Sequence, residues 1–187
     1  MIWPTKKLGE VIELHYGKGI PKYDRKLNGK YSVYGANGEL GRTDKYLVEG
    51  EAIIVGRKGS AGEVTRVSGK FWPADVTYYV FGNKTIDINF LFYFFKLFDL
   101  RQFAVGVKPG INRNRVYEIE IPFPPLEIQN KFVIRIEDLF AKITQAQSLR
   151  ESATQDTDNL IPATLSKIFE EGKKKGWEEK KVEDVAM

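Results

Sequence analysis

Apolar and polar positions follow different rules on either side of residues 119–130, IEIPFPPLEIQN. Before this junction, short apolar or alternating runs are separated by glycines, the pattern of strands and turns. Residues 52–55 (AIIV) are fully apolar and predict a buried strand, and residues 64–67 (VTRV) resume strand character after a glycine-rich stretch. Residues 31–34 alternate and run into Gly35-Ala36-Asn37-Gly38, whose Asn-Gly step favours a tight turn with positive φ. Residues 39–43 (ELGRT) read as a continuation of that loop, and residues 7–16 as a turn entering a strand with Leu8, Val11 and Ile12 apolar. Residues 71–81 (FWPADVTYYVF) read as one aromatic strand whose rings belong to the core. Helical spacing follows over residues 89–104, with Leu91, Phe94, Phe95, Phe98 and Phe103 on its apolar face. Residues 106–115 (GVKPGINRNR) then predict a loop, and residues 116–123 the last strand.

At the junction Pro122, Pro124 and Pro125 stop the alternation, and proline in a first helical turn favours what comes next. Phe132, Ile136, Leu139, Ile143, Ala146, Arg150, Ala153, Thr157, Leu160 and Thr164 fall in alternating steps of four and three, a heptad-like seam. Its middle is poor in apolar residues, and Pro162 predicts a break or a new helix start near residues 157–160. Ile161, Leu165, Ile168 and Phe169 add a second apolar cluster. At 1.5 Å per residue such a helix reaches about 60 Å, too long to bury its seam on a small body, so a partner helix is expected. The fold class is therefore α+β: a mixed, β-rich body over residues 1–121, a long coiled-coil-forming helix over 122–172, and a tail over 173–187.

Composition narrows the setting. With 187 residues, 42% hydrophobic and 13% aromatic, the chain has ample material for a core. No apolar run approaches the roughly 20 residues of a membrane span, the amino terminus lacks a signal-peptide pattern, and there is no cysteine. These features predict a cytoplasmic protein without disulfides, membrane association or a metal site. The net charge of +4 conceals a partition: residues 1–118 carry 19 Lys and Arg against 12 Asp and Glu (+7), residues 119–187 carry 10 against 13 (−3). A basic body beside an acidic helix suggests a polyanion partner for the body.

Candidate chemistry is sparse. Gly56-Arg57-Lys58-Gly59-Ser60-Ala61-Gly62-Glu63 is not a nucleotide P-loop, which needs G-x-x-x-x-G-K-[ST], and it precedes a strand where a dinucleotide fingerprint would open a helix. It predicts a hairpin presenting Arg57, Lys58 and Ser60. The basic loop at Lys18 and Lys22, with Arg25, Lys26 and Lys30 nearby, either reaches phosphates or is a solvated loop. His15, the only histidine, has no nucleophile pattern around it and reads as a structural or surface group, not a catalytic base. The chain has no Asn-Pro-Pro-aromatic tetrad for adenine methylation, no Gly-rich S-adenosylmethionine loop, no Walker motif and no convincing nuclease carboxylate pair followed by Glu-x-Lys. The tail holds a repeat: Trp177, Lys180-Lys181, Val182, Asp184 and Val185 match Trp3, Lys6-Lys7, Leu8, Glu10 and Val11 at a constant offset of 174.

Taken in order, YGANG with Gly41, GRKGSAG, FWPAD and IPFPPL with Gln129 resemble the specificity subunit of type I restriction–modification systems, over nearly the whole chain. That resemblance implies a target recognition domain followed by a long helix, where full-length members have two such units with antiparallel helices. It further implies a non-catalytic half subunit that pairs with a second copy through Phe132, Ile136, Leu139, Ile143, Ala146, Leu160, Leu165, Ile168 and Phe169. The expected partners are double-stranded DNA bearing a two-part site, a methyltransferase subunit carrying S-adenosylmethionine, and a restriction motor subunit when present. No cofactor is expected on this chain itself. DNA contacts are expected from Lys18, Lys22, Asn37, Arg42, Arg57, Lys58, Ser60, Lys108, Asn112, Arg113 and Arg115, with cations on guanine or phosphate and Asn on adenine. A coiled-coil regulator that binds an operator without a methyltransferase is the alternative.

Overall fold

Among the described residues one strand has no polar position, and the fold is built around it. The computed structural model describes residues 3–182. All five residues of β6 (Ala52–Gly56) are buried. Antiparallel β7 (Val64–Val67) and β9 (Thr77–Phe81) cover its edges, and β2 (His15–Tyr16) lies outside β9, giving the order β2-β9-β6-β7. Because side chains alternate along a strand, β6 feeds two apolar clusters. Ile53 and Val55 join Leu8, Leu14, Val80, Leu91, Phe95, Leu100 and Ile121; Ala52 and Ile54 join Val48, Val67 and Phe71. Each of the larger side chains so buried contributes about 1.5–3 kcal/mol relative to exposure.

The second sheet runs β4-β3-β8-β5, from β3 (Tyr31–Gly35), β4 (Gly38–Thr43), β5 (Val48–Glu49) and β8 (Lys70–Pro73), with β3 and β8 parallel and the other pairs antiparallel. Here two expectations are corrected. Residues 39–43 are strand, not loop: Gly35 pairs with Gly38 around a two-residue turn, Gly38 takes φ 94°, and a register shift at Val33/Tyr34 absorbs the irregularity that the glycines suggested. Residues 71–81 are two strands in different sheets. Pro73 cannot donate a ladder bond, and Thr77 returns both its N–H and its hydroxyl to the Ala74 carbonyl (3.0 and 2.7 Å), which turns the chain from one sheet into the other.

The helix α2 (Ile88–Phe98) starts where the Asp87 carboxylate accepts from the Asn89 and Phe90 amides, and it packs on β6 and β7. Residues 106–123 also differ from expectation. Asn112 accepts from the Asn114 amide and caps a short helix, α3 (Arg113–Tyr117), so the final strand, β10 (Glu120–Pro122), is only three residues long. That strand pairs antiparallel with β1 (Thr5–Lys7), and α1 (Leu8–Val11) follows β1 directly.

The body closes on the first turns of α4 (Leu126–Lys174). The Pro125 carbonyl accepts the first helical bonds, from Ile128 and Gln129. Gln129 is fully buried: its amide donates to the Thr85 and Pro124 carbonyls (3.0 and 2.9 Å) and accepts from the Asp87 N–H (2.9 Å).

Residues Ile136–Met187 form a separate unit, of which residues 183–187 lie outside the described part. Its helix runs unbroken through Pro162 to Lys174, so the predicted interruption does not occur. Leu139, Ile143, Leu160, Leu165, Ile168 and Phe169 are 45–64% exposed along it, and Ala146 is exposed as well. The helix ends in a Schellman turn: Gly176 takes φ 85°, its N–H reaches the Lys173 carbonyl, the Trp177 N–H reaches that of Gly172, and the indole lies on Gly172. Glu183 to Val185 of the tail repeat fall outside the described residues.

Candidate nucleic-acid interface

Residues 73–77, the crossing between the sheets, gather the loops at one end of the body. Gly17 and Lys18 donate to the Thr77 and Pro73 carbonyls (3.1 and 2.9 Å), and the Trp72 indole holds the Lys18 carbonyl at 2.8 Å. Arg57 and Lys58 both donate backbone N–H to the Val76 carbonyl (2.8 and 3.2 Å). The β3–β4 turn abuts the same loop, since a Cβ on Gly56 would lie 2.9 Å from the Ala36 carbonyl oxygen. A fourth segment joins through Gly59 N–H to Pro109 O and Ile111 N–H to Arg57 O, both 2.9 Å. Four stretches distant in sequence are thereby fixed against one another by backbone contacts.

The arginines of this region belong to its frame. Arg57 donates from Nε and Nη2 to the Asp75 carbonyl (3.1 and 2.6 Å), and its guanidinium lies 5.4 Å from the Tyr16 ring centre. Arg113 lies 5.1 Å from the same ring and donates to the Leu14 carbonyl at 3.3 Å, while its Nε is buried without a hydrogen-bond partner among the described residues. Two guanidiniums thus lie close to the Tyr16 ring. The Tyr78 hydroxyl donates to the Ile111 carbonyl at 3.1 Å, and burial, followed by its hydrogen bond with Tyr16, raises its phenol above the ordinary value.

The predicted contact residues therefore divide. Lys18, Asn37, Lys58, Ser60 and Lys108 are exposed on the gathered loops, and their side chains make no hydrogen bond or ion pair among the described residues. Arg57 and Arg113 hold those loops, and Asn112 serves as a helix cap. Arg42 sits elsewhere, on β4, where its guanidinium donates to the Gly29 and Lys30 carbonyls (2.7 and 3.1 Å) and approaches Ser32 and Glu39; it too is framework. Lys22, on a 3-10 turn over Lys22–Asp24, and Arg115, on α3, are exposed but are not joined to the gathered loops by any of these bonds.

Near Lys22, Lys26 pairs with Asp44, and Lys45 reaches Asp24 at 3.0 Å. Hydrogen bonding to Lys26 holds the Asp44 carboxyl below its usual range. His15 stacks on Tyr79 at 5.1 Å, in keeping with a structural role. Sequence reasoning missed Tyr16 and Trp72 as parts of the frame. The nearest signal was their position, Tyr16 directly before Gly17-Lys18-Gly19 and Trp72 directly before Pro73. Among the described residues no cluster of three or more acidic or histidine side chains could hold a metal ion, and no helix is long and apolar enough to cross a membrane.

Comparison with known proteins gives this geometry a context. The family model described as type I restriction modification DNA specificity domain matches residues 2–153. A provisionally named type I specificity subunit of Mycoplasma pneumoniae, S.MpnORF507P, is 38% identical over 135 residues, covering 68% of this chain and 37% of that protein. The EcoprrI specificity subunit of Escherichia coli is 26% identical over 165 residues, covering 83% of this chain and 41% of that one. This chain thus spans about two-fifths of the length of these relatives. In fold it is similar to the crystal structure of a type I S subunit from M. genitalium, with a TM-score of 0.69 at 22% identity, over 79% of this chain and 41% of the other. The chain belongs to the type I restriction–modification DNA specificity family, with one recognition body of mixed strands and helices followed by a long helix.

Proposed function

We propose that this chain selects the DNA sequence on which a type I restriction–modification complex acts, and performs no catalysis itself. The observation that carries this reading is the projection of Lys18, Lys58 and Lys108, with Asn37 and Ser60, from loops locked to residues 73–77. Lysines on such a surface hold phosphates and set the register. Amide and hydroxyl groups beside them reach base edges, as Asn does to adenine in the major groove. A methyltransferase subunit carrying S-adenosylmethionine would modify adenine, and a motor subunit, where present, would cleave.

The half-exposed apolar seam of the long helix supports pairing with a second copy, which would supply the second half of a two-part site. Chains that sediment as monomers at tens of micromolar would refute the pairing. The regulator reading draws no support from the family match.

The deciding experiment combines the chain with the adenine methyltransferase subunit of the same system. Sequence-specific adenine methylation that requires both proteins is the expected result. Tight operator binding by this chain alone, with no methylation in the mixture, would refute the proposal.

A further inference from the structure

One apolar side chain on the cationic surface has no part in the fold. Val107 is 104% exposed at the tip of a small hairpin closed by reciprocal backbone bonds between Val105 and Gly110 (3.0 and 3.1 Å). The turn is tight, with Gly106 at φ 94°, a conformation a side chain would strain. It is also braced from outside, by the Gly59 N–H on the Pro109 carbonyl and by the backbone bridge between Lys58 and Gly110. Val107 is therefore carried on a fixed support, and as a β-branched residue it is stiff about χ1, so little freedom is lost when it meets a surface. Lys108 follows it in the chain and Lys58 pairs through its backbone with Gly110 of the same hairpin; both are exposed, and their side chains make no hydrogen bond or ion pair among the described residues.

We infer that Val107 is a specificity determinant, seated against the 5-methyl group of a thymine in the major groove. This rests on the DNA-recognition reading above. The lysines of this hairpin and of the segment bridged to it bring a polyanion to the tip, and the one major-groove feature that an isopropyl group recognises and a lysine does not is that methyl. Lys58 and Lys108 supply register on the phosphates, and Val107 supplies discrimination.

The test uses the full chain in complex with its methyltransferase subunit. A recognised duplex is selected from random sequence, and each thymine in it is then replaced singly by deoxyuridine, which lacks only the methyl. At one position the wild-type complex should weaken about fourfold, the size expected for losing one buried methyl-sized contact. The Val107→Ala complex should bind the thymine duplex correspondingly less tightly and lose its sensitivity at that position alone. Since Val107 lines no core, the variant should fold as the wild type does, which circular dichroism checks. The inference is overturned if selectivity for the site persists and no deoxyuridine position depends on residue 107. It is equally overturned if Val107→Ala weakens methyltransferase binding with thymine sensitivity intact, because the tip then docks protein. A complex with no sequence preference at all would instead refute the DNA-recognition reading.

Discussion

Gln129 is the most exacting test of how the first turns of α4 are held in the body. Its side chain is fully buried and joins three backbone groups from two other segments, the Thr85 carbonyl, the Asp87 N–H and the Pro124 carbonyl. In Gln129→Ala all three bonds are lost. Thr85 is exposed, so its carbonyl can turn to water, whereas the bond to Pro124 is buried and leaves its acceptor unpaired. An unsatisfied buried group costs about 1–3 kcal/mol, each recoverable bond about 1 kcal/mol and the lost methylene about 0.8 kcal/mol. The expected destabilisation is about 4–6 kcal/mol, a large fraction of a typical domain's total of roughly 5–15 kcal/mol.

Gln129→Met keeps the volume and isolates the polar part, about 3–5 kcal/mol by the same reckoning. Gln129→Glu keeps an acceptor for Asp87 but sets a carboxylate against two carbonyls, which raises its folded-state pKa above the ordinary value of about 4.3. Stability linked to a raised pKa is present below the unfolded value and lost as pH rises through the folded one, so this variant should be less impaired at about pH 4 than at pH 7 relative to wild type. Urea unfolding followed by tryptophan fluorescence measures all three variants. If Ala and Met both fall within about 1 kcal/mol of wild type, or Glu is the better tolerated at neutral pH, the account of this anchor is wrong.

Four further outcomes follow from the same geometry. Lys58→Ala and Lys108→Ala should each lower the slope of log affinity against log salt by about one, measured by fluorescence anisotropy; an unchanged slope removes that lysine from the phosphate contacts. Arg57→Ala should do more, disordering the crossing at Asp75 as well as weakening DNA binding, seen as faster amide exchange over residues 74–77. Pro162→Ala should raise the thermal midpoint of the helix by circular dichroism, since proline in a helix interior costs up to about 3 kcal/mol relative to alanine; a lowered midpoint would show that the ring makes a needed contact. Burial foremost raises the Tyr78 phenol, so its stabilising contribution is complete below the unfolded value of about 10 and is lost as pH rises through the folded one; Tyr78→Phe should therefore show a shallower alkaline loss of stability than wild type.

How far the fold was legible depends on whether a local pattern had a local cause. The run AIIV reads as a buried strand because it is short, rich in β-branched residues and followed by Gly56, and the apolar spacing after Pro125 reads as a helix because its period is sustained over many turns. The glycines of residues 38–43 suggested a loop, since their strand character depends on pairing with β3 across a bulge, a long-range condition that propensity does not carry. FWPADVTYYVF looked continuous because both halves are aromatic; only the bonds from Thr77 back to Ala74 show the chain changing sheets. Pro162 looked like a breaker, yet α4 continues on both sides of it. For the site, sequence could nominate basic residues in loops but could not say which loops would meet, because residues 17, 36, 57 and 109 are brought together by backbone bonds and close approach at the crossing, and not by any motif.

The division between arginine and lysine in this body has a physical basis that charge counting cannot reveal. Arg42 and Arg57 each set two guanidinium nitrogens on backbone carbonyls, Arg113 sets one, and the guanidiniums of Arg57 and Arg113 both lie within 5.4 Å of the Tyr16 ring centre. A guanidinium is weakly hydrated and presents several donors in fixed directions, so it can be partly buried as a strut. The strongly hydrated ammonium groups of Lys18, Lys58 and Lys108 stay in solvent on flexible stems. A rigid frame held by arginines and a compliant fringe of lysines suit the proposed role, in which base-reading groups would keep one geometry while the lysines accept variable phosphate positions. Exchanging the roles would fail in both directions: a lysine at position 57 cannot donate twice along one plane to the Asp75 carbonyl, and a lysine at 113 cannot offer Tyr16 the flat stacking face of a guanidinium. Specificity in such a surface resides less in the number of its charges than in which of them the fold has already engaged.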